Sequence, residues 1–189
     1  MSIRKNILWI TRTAVLTALL VTVQFFTAPL ENQFVTGSAG NLIMIIALLT
    51  CGLATGLTVA IISPIFAFLA GVGSAFPPVV PFIALGNAVF IMAWYLLGLL
   101  NKSGKSGLRY KVINYLIAVV AAFFKFLTLY VGIVKIAVPF LLNLNEKLSA
   151  MLTLSFSYPQ IITAIIGGVL ALTIVSPIQK ALKSRTSLA

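Results

Sequence analysis

The 189-residue chain has no histidine and no aspartate, and its only carboxylate side chains are Glu31 and Glu146. These absences remove most enzyme chemistry: no Ser/His/Asp or Cys/His arrangement exists for nucleophilic attack, and no acid falls in an apolar run to act as a general base. There is one cysteine, Cys51. It excludes an internal disulfide framework and a metal-ligand cluster, and in its apolar surroundings it reads as a small buried residue. Gly71-Val-Gly73 lacks the flanking strand and the lysine of a phosphate-binding loop. No enzymatic activity, metal or cofactor is therefore expected. Proton- or sodium-coupled carriers use intramembrane carboxylates or paired broken helices, and neither is evident here. If the chain moves a solute, the energy comes from a partner.

What is present is apolar and basic. Hydrophobic residues make up 61% and charged residues 8%, with 13 Lys+Arg against 2 Asp+Glu and a net charge of +11. Such a composition belongs to an integral membrane protein. The basic residues sit at the ends of apolar spans and form no stripe interleaved with aromatics, so they report topology, and no nucleic acid is expected as a partner. The basic N-terminus resembles the start of a signal peptide, but the apolar stretch after it is too long and lacks a cleavage site, so it reads as a retained first helix.

Proline, glycine and polar clusters divide the chain into six apolar spans, an all-α integral membrane fold in one membrane domain over residues 1–189. The first covers residues 7–28 and stops at Pro29. A polar loop over 29–38 follows, ending at Ser38 in the expected cap of the next helix, then a short second span at 39–51, a tight turn at 52–56, and a third span at 57–70. Within the third span Ser63-Pro64 predicts a kink, tolerated where a neighbour re-satisfies the freed carbonyl. A turn-rich connector at 71–78 leads to the fourth span at 79–100, and a basic loop at 101–111 to the fifth at 112–142. An amphiphilic connector at 143–157 precedes the sixth span at 158–175 and a basic tail. No loop is long enough to bury a core of its own.

Charge tests this count. With both termini in the cytoplasm, Arg4, Lys5, Arg12, Lys102, Lys105, Arg109, Lys111, Lys180, Lys183 and Arg185, ten of the 13 basic residues, fall on one side. Lys147 and both glutamates fall on the other, as the positive-inside rule requires for six spans. The expected location is a bacterial cytoplasmic membrane.

Lys125 stands near the middle of the fifth span. A charge at that depth costs roughly 2.5–3.5 kcal/mol on insertion scales, so it is kept where something pairs with it. With both glutamates in loops, the expected partner is a ligand, the alternative being a structural role against backbone carbonyls or water. Toward the extracellular side lie Gln24, Asn41, Asn87, Gln160 and Thr163, with Thr128, Tyr130 and Lys135 beyond Lys125. Together they outline one outward-facing polar cavity, suited to a small molecule bearing a carboxylate. Interhelical hydrogen bonding is the alternative role for each amide, and snorkelling the better role for Lys135.

In the first span, Ala14 and Ala18 stand four residues apart, flanked by Thr11 and Thr17. Small residues at this spacing let another helix approach closely. With this Ala14-Val-Leu-Thr-Ala18 segment, the size and the six spans, the chain resembles the substrate-binding (S) components of energy-coupling factor (ECF) vitamin transporters. The likeness extends to Thr36-Gly37-Ser38 with Asn41-Leu42, Ser63-Pro64 with Ala67-Phe68, Pro81-Phe82 with Gly86-Asn87, and Tyr158-Pro159-Gln160.

The resemblance implies a subunit that binds a vitamin or precursor from outside and docks through Ala14 and Ala18 on a transmembrane coupling subunit (EcfT-type) driven by two cytoplasmic ATPases (EcfA-type). Toppling in the bilayer is the family's proposed transport step. It also implies that the loop at 29–38, with Asn32 and Gln33, closes over the site as a lid, and that the fourth to sixth spans line it. A cation facing amides favours an anionic vitamin, pantothenate best. Pyridoxine, a hydroxymethylpyrimidine and cobalamin remain open, and cationic thiamine is disfavoured beside Lys125. Two other classes remain: a self-sufficient carrier and a non-transporting assembly subunit.

Overall fold

The computed structural model describes the backbone of residues 3–101 and 107–186, and of residues 4–5 and 176–186 the backbone alone. The charges expected at Arg4, Lys5, Lys102, Lys105, Lys180, Lys183 and Arg185 therefore lie outside the described side chains.

Helix α1 (Ile3–Thr27) gives way at Pro29 to one 3-10 turn, Ala28–Leu30. Glu31 then takes a left-handed conformation (φ 50°), and Asn32 caps helix α2 (Gln33–Cys51). Its Oδ1 accepts from the backbone N–H of Phe34 at 3.0 Å and of Val35 at 3.4 Å, satisfying donors that a helix start leaves free. The cap expected near Ser38 is thus Asn32. The second span gains its first six residues from the expected loop, and at 19 residues it is long enough to cross a bilayer. Cys51, its last residue, is half-buried.

Gly52, at φ 92°, reverses the chain by itself, so helix α3 (Leu53–Leu69) starts inside the expected turn. A 3-10 turn, Pro77–Val79, leads into α4 (Val80–Leu100). Helix α5 (Leu108–Leu129) continues into a wider π-helical stretch, Tyr130–Leu141. The connector expected at 143–157 holds a ten-residue helix, α6 (Glu146–Ser155), capped by Asn145 Oδ1 on the Leu148 N–H at 2.9 Å. Helix α7 (Tyr158–Thr186) runs on through the expected tail. Five stretches are long and apolar enough to cross a membrane, and α3 is a shorter apolar helix of 17 residues beside them. Six spanning helices fit this set, with α6 as an addition.

Contacts fix the direction of each helix. A β-carbon on Gly37 would lie 3.0 Å from Thr163, and one on Gly167 would lie 2.6 Å from Asn41 Cβ, so α2 and α7 run parallel in tight contact. Phe82 against Gly132 and Leu129 against Gly86 make α4 and α5 antiparallel. The short turn over residues 28–32, with Gln24 beside Gly40 on either side of it, makes α1 and α2 antiparallel. Consequently the ends of α1 and of the π-helical stretch, the starts of α2, α4 and α7, and all of α6 share one end of the molecule, here the vestibule end. The opposite, basic end carries Asn101, whose Nδ2 donates to Asn114 Oδ1 at 3.1 Å.

The main core joins α1, α2, α3, α4, α5 and α7 through Leu20, Ile45, Val59, Phe90, Trp94 and a set of alanines including Ala118, Ala121 and Ala164. Small residues at these crossings bring the backbones close, which is how bilayer helices associate without a hydrophobic driving force. Gly167→Val should force α7 off α2 and lower stability by about 1–3 kcal/mol through overpacking. A β-carbon on Gly98 meets nothing within 4 Å, so Gly98→Ala should be near neutral in the same detergent melting experiment.

Candidate functional site

Three residues from three helices meet in the interior. Lys125 of α5, Asn41 of α2 and Thr163 of α7 are 4%, 1% and 1% exposed. Lys125 Nζ donates to Asn41 Oδ1 at 2.6 Å, and Asn41 Nδ2 donates to Thr163 Oγ1 at 3.5 Å. The ring of Phe90 on α4 stands 5.4 Å from Nζ, a cation–π contact worth up to about 2 kcal/mol when desolvated. The partner of Lys125 is thus a neutral amide oxygen and an aromatic face. Both glutamates are exposed residues outside this cluster.

This arrangement leaves Lys125 undersupplied. An ammonium has three N–H donors, and among the described residues Asn41 Oδ1 is its one hydrogen-bond partner. Burying an ion costs several kcal/mol, offset fully only by an opposite charge and further hydrogen bonds. Nearby, Ser38 Oγ is buried without a partner among the described residues, as is Gln24 Oε1. Ser38 lies three residues before Asn41 on α2, a spacing that places two side chains side by side on a helix. Sequence alone places Ser38 in a loop, which hides it as a site residue. Once α2 starts at Gln33, its position beside Asn41 follows.

Toward the vestibule end, Gln33 Nε2 and Gln160 Nε2 both donate to the carbonyl oxygen of Ser155, at 2.6 Å and 3.1 Å. That carbonyl ends α6, where no intrahelical donor remains. The two glutamines thereby tie α2, α6 and α7 together above the cluster. Outside this tie is a vestibule of about 410 Å³ lined by Glu31, Asn32, Gln33, Ser155, Tyr158 and Pro159, among others. Lys125, Asn41 and Thr163 do not line it, so the expected polar cavity is divided into an open vestibule and a closed polar cluster.

The remaining expected residues lie elsewhere. Asn87 Nδ2 donates to Ala60 O at 3.4 Å. Pro64, four residues on, has no N–H to give that carbonyl, so Asn87 supplies the missing donor and holds α3 against α4. Thr128 Oγ1 donates to Phe124 O of its own helix at 2.9 Å. Tyr130 stacks near Phe126, with ring centroids 5.5 Å apart, and carries Lys135 Nζ 5.6 Å from its ring centre. The five-residue step from Tyr130 to Lys135 matches the wider π turn, and Lys135 is exposed, as snorkelling requires.

A second feature is apolar. A groove of about 840 Å³ runs between α1 and α3, lined by Trp9, Thr13, Ala14, Thr17 and Ala18 with Ile62 and Phe66. Thr13 and Thr17 are buried, and Thr13 Oγ1 donates to Thr55 Oγ1 at 3.4 Å, pinning α1 to α3. Ala14 and Ala18 remain exposed. Gln24 is level with Gly40, next to Asn41, and Ala18 and Ala14 come six and ten residues before it. At 1.5 Å per residue they lie about 9 and 15 Å nearer the basic end than the polar cluster.

Residues 9–179 match the family model for the ECF transporter substrate-specific component. The chain belongs to that family. No curated protein and no solved structure matches it.

An ECF substrate-specific component is a subunit of a transporter and not an enzyme, which agrees with a polar cluster built from a lysine, amides and hydroxyls. Membership also makes this a multi-pass membrane protein whose role implies a small-molecule ligand and partner subunits. In such a chain Asn87 can serve the ligand or the unpaired carbonyl of Ala60, and the two roles separate experimentally. Asn87→Leu should lower thermal stability by about 0.6–1.7 kcal/mol, the range for hydrogen bonds between bilayer helices, and leave ligand affinity unchanged. Lost affinity at unchanged stability would place Asn87 in the ligand site instead.

Proposed function

We propose that this chain is the high-affinity, membrane-embedded binding subunit of an ATP-driven importer for a B vitamin or vitamin precursor, in a bacterial cytoplasmic membrane. The vestibule end faces outward and the basic end faces the cytoplasm, in accord with the positive-inside distribution. The substrate enters through the vestibule, and release of the Gln33 and Gln160 hydrogen bonds from Ser155 opens the way to the cluster. The turn at Ala28–Leu30, Glu31, Asn32 and the first turn of α2 serve as the lid.

The substrate's acidic group takes the place of Asn41 on Lys125, supplies the missing negative charge and accepts from the free donors of Nζ. Ser38 Oγ, Thr163 and the released amide of Asn41 offer further hydrogen bonds to a polar vitamin. Pantothenate, with one carboxylate and several hydroxyl and amide groups, fits this chemistry best. The parallel α2 and α7 both direct their N-terminal, partially positive ends toward the vestibule, which favours an anion. A vestibule of about 410 Å³ falls among small-molecule pockets, and it is too small to enclose a corrinoid.

The observation that carries the transport reading is the separation of two surfaces. Polar groups gather at one depth, and the exposed Ala14 and Ala18 floor an apolar groove nearer the basic end. That groove is where a transmembrane coupling subunit (EcfT-type) docks, driven by two cytoplasmic ATPases (EcfA-type). Ala14→Trp combined with Ala18→Trp should fill the groove, keep substrate binding by the isolated subunit within about twofold of wild type, and abolish uptake by the whole transporter. Uptake at the wild-type rate by the double variant would contradict docking at this face.

A further inference from the structure

Helix α6 is assembled inside out for a helix in water. Leu148, Met151 and Leu154 are 38%, 59% and 55% exposed, and their spacing of three residues puts them on one face with Lys147 among them. The half-buried side carries Ser149 and Thr153, and Leu152 packs into the small apolar cluster with Val138 and Leu142. No residue of the helix is fully buried. With ten residues, α6 reaches about 15 Å and cannot cross a bilayer.

Exposed apolar residues also stand just before α6 in the chain. The π-helical stretch before it ends on Phe140 and Leu141, 79% and 53% exposed, and Leu142 of the intervening turn shares a cluster with Leu152 of α6. After α6 comes Tyr158, 53% exposed, a residue type that concentrates at the membrane–water boundary. A short helix with an apolar face, a lysine on that face and a neighbouring exposed tyrosine has the chemistry of an interfacial helix.

We infer that α6 lies in the plane of the membrane interface, with Leu148, Met151 and Leu154 among the upper acyl chains of phospholipids and Lys147 at their phosphates. Its occupant is the bilayer itself. Held there, α6 gives Gln33 and Gln160 a fixed acceptor in the Ser155 carbonyl, so lipid contact sets the height of the cover above the polar cluster.

The test is site-directed spin labelling of the full-length chain in vesicles of phosphatidylcholine and phosphatidylglycerol. In a Cys51→Ala background, Leu148→Cys, Met151→Cys and Leu154→Cys are labelled one at a time. Collision rates with dissolved oxygen and with a water-soluble nickel chelate are then measured. The expected result is a higher oxygen than nickel collision rate at all three positions. Nickel rates equal to or above oxygen rates would place the face in water and overturn the inference. Low rates with both reagents would place it under a second copy of the chain and overturn it equally. Each position is read independently, so a single variant that fails to insert leaves the other two to decide. Because no substrate enters the experiment, its outcome is separable from that of the transport reading.

Discussion

The structure depends on an ammonium held in the protein interior by an uncharged partner. Lys125 meets Asn41 at 2.6 Å and the ring of Phe90, and no carboxylate stands beside it. Everything around this pair serves to keep the position available. Gly167 lets α7 press against Asn41, Gly37 lets α2 press against Thr163, and the alanines of α5 bring Lys125 into the same layer. An apolar residue at position 125 would be cheaper for the fold alone. The cost is understandable where a ligand completes the site, and a family of transporter binding subunits is the setting in which such a ligand is required.

The two ends of the molecule divide the work. The vestibule end contains the cap at Asn32, the glutamine tie on Ser155 and the interfacial α6, all of which bear on access to the cluster. Farther toward the basic end, Thr13 and Thr55 lock α1 to α3, leaving Ala14 and Ala18 as the floor of an open groove. Neither feature disturbs the other because α1 spans both. Its residues from Ala14 to Gln24 link the groove to the level of Asn41 along one continuous helix.

Much of this was legible in the sequence, and the exceptions have physical causes. The six apolar spans, the isolation of Lys125 and the small-residue face of α1 follow from composition and spacing alone. Pro64 announced a carbonyl in need of a donor, but only the antiparallel pairing of α3 with α4 brings Asn87 to it. The start of α2 was misplaced because two polar residues offer a cap. The left-handed turn at Glu31 selects Asn32 over Ser38, which moves Ser38 from a loop to the side of Asn41. Tyr130 and Lys135 follow Lys125 outward along the chain, but Lys135 Nζ stands 5.6 Å from the Tyr130 ring, a pairing that suits the five-residue π turn and that α-helical spacing does not suggest. Helix α6 was hidden by its mixed composition, since a helix lying on a membrane shows neither a span's length nor a soluble helix's polar exposed face.

In the proposed function Lys125 holds the acidic group of the substrate, and this assignment can be measured. It is tested most directly by calorimetric titration of the purified subunit with a panel of vitamins, comparing pantothenate with its uncharged alcohol analogue on the native chain and on Lys125→Met. The expected result is that a carboxylate-bearing vitamin, pantothenate first, binds tightest. Lys125→Met should weaken this ligand by about 2–5 kcal/mol and erase the preference over the neutral analogue. A tightest ligand that is neutral or cationic, and bound equally well by Lys125→Met, would contradict it.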